Sequence, residues 1–261
     1  MAEYIVARKT RNAASSAVHV LLNLLLGVGS VMVTILSGSP VLGLILVLVS
    51  KWRVFAVRPR YLWVNIKSSL VDFIVGASII LLTYYSGTDI VVADIILAVL
   101  YCVWLIVIKP LTSEKANLAQ SLIAIFLGIS ASSIMASSTD PFLIIILAFI
   151  IGYSASRHVL VQSEDNKDSS LIVMICGLIF AEIAWLCHSW MIIYTFGYTG
   201  IRIPQLAIIL TLAAFTYNSI RLTMLRYDGK LRIKNVLTPL IFCIITVAVI
   251  ILFFSNPIFN I

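Results

Sequence analysis

"SLIAIFLGISASSIMASSTDPFLIIILAFIIGYSAS", residues 121–156, holds two long apolar runs joined by one short polar turn. Crossing the ~30 Å hydrocarbon layer of a bilayer at 1.5 Å per residue takes about 20 mostly apolar residues. Extended to about 116–136 and 141–160, each run has that length. Asp140-Pro141 between them is an ordinary helix start, an N-cap followed by Pro at the first helical position. The stretch therefore predicts two antiparallel membrane helices. Along the first, Gln120, Ala124, Gly128, Ser132 and Ala136 recur every four residues; along the second, Ala148, Gly152 and Ser156 do the same. That spacing keeps each set on one helix stripe. In lipid the hydrophobic effect gives helices little reason to associate, so close approach at small residues matters. The two helices are expected to pack along these stripes, or each against a third helix. Ser130 and Ser133 leave a pore lining as the alternative.

The same pattern extends over the chain. Of 261 residues, 61% are hydrophobic and 11% charged, against roughly a quarter charged in a soluble domain. A water-soluble domain of this size could not hide so much apolar surface. The expected fold is an all-α polytopic transmembrane bundle, one domain over residues 1–261. About nine spans are expected, at roughly 15–36, 40–57, 66–85, 90–109, 116–136, 141–160, 170–194, 202–222 and 236–255. The first run is longer than the ~7–15-residue core of a removable signal, so it reads as an uncleaved span. The turns "SGSP" (37–40), "SGTD" (86–89) and "SSTDP" (137–141) lie near fifty residues apart. A hairpin repeat gives that period, and so do two spans plus two short loops.

Loop charge orients the chain. With a cytoplasmic N-terminus, 17 of the 18 Lys and Arg residues fall on inner segments and only Arg202 faces out. That is the positive-inside pattern, and it puts the C-terminus outside. The second segment is the difficult one, because only ten uncharged residues separate Pro40 from Lys51. A full crossing is expected, with the helix continuing to about Val57 and Lys51 and Arg53 snorkelling to the headgroups. A half-span hairpin is the alternative.

Polar residues inside apolar runs are the candidate site. Glu182 lies within "CGLIFAEIAWLCHSWMIIY" (176–194). An ionised acid near the bilayer centre costs about 2.5–3.5 kcal/mol on insertion scales, so Glu182 is expected to face protein or a wet cavity. His188, six residues on, points some 120° away and is not its direct partner. Arg157, Asn218, Tyr217 or the Ser/Gln stripe of the fifth span could serve instead. Asp72, beside the small residue Gly76, is expected to pair with an inner Arg such as Arg157, or to cap at the interface. Glu182, with His188, Asp72 and Arg157, is the set expected to handle a substrate or a proton. The bland alternative is a carboxyl that only holds helices together. Asp89, Asp94 and Asp140 make the outer face mildly acidic.

Two basic clusters, Lys51, Arg53, Arg58 and Arg60 and then Arg226, Lys230, Arg232 and Lys234, lie among aromatic residues on the inner side. Topology alone explains such charge; it also suits anionic lipid headgroups or a protein partner. Nucleic acid is not expected. The four cysteines sit singly in apolar runs, with no disulfide or zinc spacing. No metal, no cofactor and no hydrolase or phosphate-loop motif is indicated.

The stretches "FAVRPRYLWVNI" (55–66), "AEIAWLCHSW" (181–190) and "IPQLAII" (203–209) resemble multi-pass inner-membrane proteins of small-genome bacteria. The resemblance implies a prokaryotic cell-membrane location and no particular activity. Three functions are compatible with these features. The first is an ion-coupled carrier of a small solute or lipid working through Glu182. The second is a non-catalytic scaffold or complex subunit, a homo-oligomer included, that binds anionic lipid or a partner through the basic face. The third is an intramembrane enzyme acting on lipid.

Overall fold

The computed structural model describes residues 2–56, 58–86, 92–137, 140–160, 169–188, 192–196, 200–227 and 233–254. It is almost wholly helical. The elements in order are α1 (Ala2–Ser37), α2 (Pro40–Ser50), α3 (Trp52–Phe55), α4 (Pro59–Ser86) and α5 (Val92–Val103). A π-helical turn (Trp104–Ile108) follows, then α6 (Glu114–Ala136), α7 (Pro141–Leu160) and α8 (Ser169–His188). Strands β1 (Ile193–Phe196) and β2 (Ile201–Pro204) precede α9 (Gln205–Arg226) and α10 (Ile233–Phe253). Among the described residues, six helices are long and apolar enough to cross a membrane. Large apolar side chains such as Leu25, Leu36, Leu171 and Leu252 cover the exterior. Exposed apolar surface on that scale suits a lipid solvent and not water.

α4 and α6 form the centre. α6 packs against α4, α7 and α9, and buries both faces over most of its length. Val75, Ile79 and Ile80 of α4, Tyr101 of α5, Ile129 of α6, Ala148 of α7 and Leu210 of α9 build one continuous core. α1, α2 and α5 lie against one side of α4, α8 lies on α7, and α10 lies on α9. Gly38, at φ 59, turns the chain after α1 in a conformation only glycine adopts freely. Ser39 then caps α2, its Oγ accepting from Val41 N at 3.3 Å, with Pro40 at the first helical position.

Two expectations need correction, and a third segment differs in detail. The second segment does not run as one helix to Val57. α2 stops at Ser50, the chain breaks at Lys51 (φ −94, ψ 13), and the four-residue α3 follows. Eleven residues rise about 16 Å, half of the hydrocarbon thickness. The segment expected at 90–109 is helical from Val92 to Ile108, with its last turn π-helical. The run 170–194 is not all helix: α8 ends at His188, and β1 pairs antiparallel with β2 in the register Ile193↔Pro204. β1 alternates β-branched and aromatic residues (Ile193, Tyr194, Thr195, Phe196), and Gly200 at φ 72 leads into β2, which is hairpin chemistry inside an apolar window. The all-α expectation thus misses one small hairpin, whose second strand rests on α6.

Candidate functional site

Asp72 of α4 holds the densest polar contacts described. Its Oδ2 accepts a hydrogen bond from Lys51 Nζ and forms an ion pair with Lys109 Nζ at 2.8 Å. Its Oδ1 accepts from Trp104 Nε1 at 2.9 Å. The side chain of Lys51 is 8% exposed and that of Asp72 15%, whereas that of Lys109 reaches 42%. An ionised carboxylate so far from water needs this many donors.

Two helix interruptions bring the donors together. Lys51 sits at the break between α2 and α3, its backbone N–H bonded to Leu48 O and Val49 O, so its side chain turns inward onto α4. After α5, Lys109 N bonds Trp104 O at 2.9 Å, the i→i−5 closure of a π-turn. In a regular α-helix, residues five apart point about 140° apart. The wider turn brings Trp104 and Lys109 to the same carboxylate.

A second network braces the same end of the bundle. The buried Gln120 of α6 donates through Nε2 to Ile108 O at 2.8 Å and Leu111 O at 3.0 Å, tying α6 to the chain that leaves the π-turn. His158 Nε2 of α7 lies 2.8 Å from Gln120 Oε1. An amide oxygen only accepts, so this nitrogen carries the proton.

Between these groups lies a cavity of about 740 Å³, with Asn23, Lys51, Trp52, Asp72, Lys109 and His158 among its lining. Leu22, Leu26, Val49 and Val71 supply apolar wall. Two ammonium groups face one carboxylate, so the cluster carries a formal excess of one positive charge. Among the described residues, no three of His, Cys, Asp and Glu converge as a metal site. The chemistry available is ion pairing and hydrogen bonding, with donors in excess.

The residues expected from sequence fall in different places. Asp72 is central, but its partners are Lys51, Lys109 and Trp104; Arg157, half-buried in the last turn of α7, is not one of them. Lys51 is buried and does not snorkel. Glu182 is exposed on the outer side of α8, contrary to the expectation that it faces protein. The rotation of α8 explains this. Gly152 of α7 meets Phe180, and Gly177 meets Phe149, which fixes Val173, Phe180, Ala181 and Ala184 against α7 and turns Glu182 away. His188 is half-buried at the end of α8, and its Nδ1 has no hydrogen-bond partner among the described residues.

Of the basic residues, Arg58, Arg60 and Arg226 are exposed. Lys230 and Arg232 lie outside the described residues, as do the side chains of Arg53 and Lys234. Of the small-residue stripes, Ala124, Gly128 and Ser132 are buried on α6, and Gly128 abuts Ile151 of α7 and Ile74 of α4. Ala148 is buried, Gly152 faces α8, and Ser156 lines a crevice among α6, α7, α8 and α9. Trp104, Lys109 and His158 carry no sequence signal for this site, because nothing in the local pattern announces the π-turn. Gln120 was legible only as a member of a packing stripe.

Compared with family models, curated proteins and solved structures, the chain matches none.

Proposed function

We propose that this protein is a membrane carrier whose working site is the cavity around Asp72, and that it takes a phosphate-type anion, free or as a lipid headgroup, between Lys51 and Lys109. The observation that carries this reading is one carboxylate shared by two lysines where two helices are interrupted. Carriers place their sites at discontinuous helices, where freed backbone and side chains can rearrange around a solute. Asp72 holds both ammonium groups in place while the site is empty. An entering anion competes with it for the lysines and gains charge-assisted hydrogen bonds from both. The apolar wall suits a ligand with a greasy tail. With the lysine-rich end cytoplasmic, as loop charge predicts, the site opens toward the inner side of a prokaryotic cell membrane. Glu182, turned outward, is not part of this site.

A scaffold reading keeps one specific support. The start of α4 carries exposed Tyr61 and Trp63, with Arg60 at 6.0 Å and Lys67 at 4.9 Å from the respective rings. That belt suits the headgroup layer whether or not anything is transported.

Trp52 and Trp104 line the cavity, so their fluorescence reports occupancy. The test titrates the purified chain in nanodiscs with sulfate. In parallel, phosphatidylglycerol is compared with phosphatidylcholine. Saturable sulfate binding is expected, weakened about tenfold or more by Lys51→Met. Response to phosphatidylglycerol alone assigns the site to headgroups. Binding without flux of labelled sulfate or lipid across vesicles favours the scaffold. No saturable response to either probe overturns the site.

A further inference from the structure

Among the described residues α8 packs mainly on α7, with a lighter contact to α9. Its buried residues Val173, Gly177, Phe180 and Ala184 face α7. The opposite side exposes Leu171 (64%), Ile175 (45%), Leu178 (49%), Glu182 and Trp185 (62%). These five positions step by four, three, four and three residues, the a/d spacing of a helix–helix seam. At 100° per residue they all lie within about 40° of one line along the helix. Apolar side chains alone would be at home in lipid and would call for no partner. The carboxyl changes that. In hydrocarbon no water solvates it, and membrane carboxyls are almost always turned to protein. Among the described residues Glu182 takes part in neither ion pair of the structure.

We infer that α8 is a dimerisation helix: two copies of this chain pair along the seam through Leu171, Ile175, Leu178, Glu182 and Trp185, with each Glu182 hydrogen-bonded to its counterpart. Two copies inserted in one membrane share orientation and depth. A two-fold axis along the membrane normal sets their α8 helices side by side and parallel, so each seam residue meets its own copy. A protonated carboxyl is self-complementary, since its O–H donates while its C=O accepts. The depth of one Glu182 is then matched by the other automatically. A different protein would have to supply a polar group at that depth from its own sequence. As the single polar position of an apolar seam, Glu182 also fixes the register, as a buried polar residue does in a coiled coil. The dimer is independent of the anion site, which lies around α4 and the π-turn and uses none of these residues.

Full-length chains carrying donor or acceptor dyes at the N-terminus, reconstituted in phosphatidylcholine vesicles, test this by energy transfer at varied protein-to-lipid ratio. The unaltered chain should show saturable dimer formation. Glu182→Leu should weaken it at least tenfold, and Glu182→Gln, which keeps a self-complementary amide, should stay within threefold. In a chain whose four cysteines are replaced by serine, Leu178→Cys should give disulfide-linked dimers. Ile179→Cys, exposed but about 100° round the helix, should not. A monomeric unaltered chain, unchanged transfer in Glu182→Leu, or equal cross-linking at 178 and 179 overturns the inference. In the first case Glu182 is left to a different membrane partner.

Discussion

Replacing Asp72 by alanine should destabilise the protein by about 3 kcal/mol, seen as a fall of roughly 6–12 °C in thermal unfolding midpoint in detergent. Without its carboxylate, Lys51 and Lys109 are left facing each other with no counter-charge, and Trp104 Nε1 loses its acceptor. Removing one member of a buried ionic cluster costs more than the intact cluster contributes, because the remaining charge stays desolvated. Lys109 is partly in water, which tempers its share. The companion change Lys51→Met should return a good part of the loss, since it removes the stranded charge. A midpoint within 2 °C of the unaltered protein would mean that the cluster does not hold the helix ends together.

The second large effect belongs to the contact between α7 and α8. A Cβ built on Gly152 would lie 2.6 Å from Phe180 Cγ and 2.7 Å from Phe180 Cβ, the root of the ring and not its movable tip. Gly152→Leu should therefore cost about 3 kcal/mol, at the upper end of overpacking penalties. Adding Phe180→Ala should recover more than half of that, because the two changes act on one contact and are not additive. Equal midpoints for Gly152→Leu with and without Phe180→Ala would place the clash elsewhere. The contact also matters beyond stability, since it sets the rotation of α8 and so the outward direction of Glu182.

How far the sequence could be read follows from the range of the interactions involved. The membrane helices were legible because their cause is local: twenty consecutive apolar residues need no partner to declare themselves. The importance of Gly152 was legible as well, since a small-residue stripe is visible at spacing four. Its partner was not, because Phe180 lies on another helix and one large residue among many carries no mark. Without that partner the rotation of α8 cannot be derived, and the cost of a charge in oil alone points Glu182 inward. Lys51 shows the same limit from the other side. Its position after a short apolar run suggested a snorkelling lysine, yet its conformation is decided by Asp72, 21 residues away, and by the break that follows α2. The π-turn at Trp104–Ile108 is compatible with an ordinary apolar sequence and shows only in the hydrogen bond from Lys109 N to Trp104 O.

The claim on which the rest depends is that Asp72 and Lys51 are directly paired inside the bundle. A double-mutant cycle on Asp72→Asn and Lys51→Met, read as reversible unfolding free energy in mixed micelles, measures that pairing with both single changes as references. The geometry predicts a coupling of at least about 1.5 kcal/mol, in the range measured for close desolvated charge pairs. A coupling indistinguishable from zero, with the two single losses simply adding, would contradict the paired cluster and remove the anion site built on it.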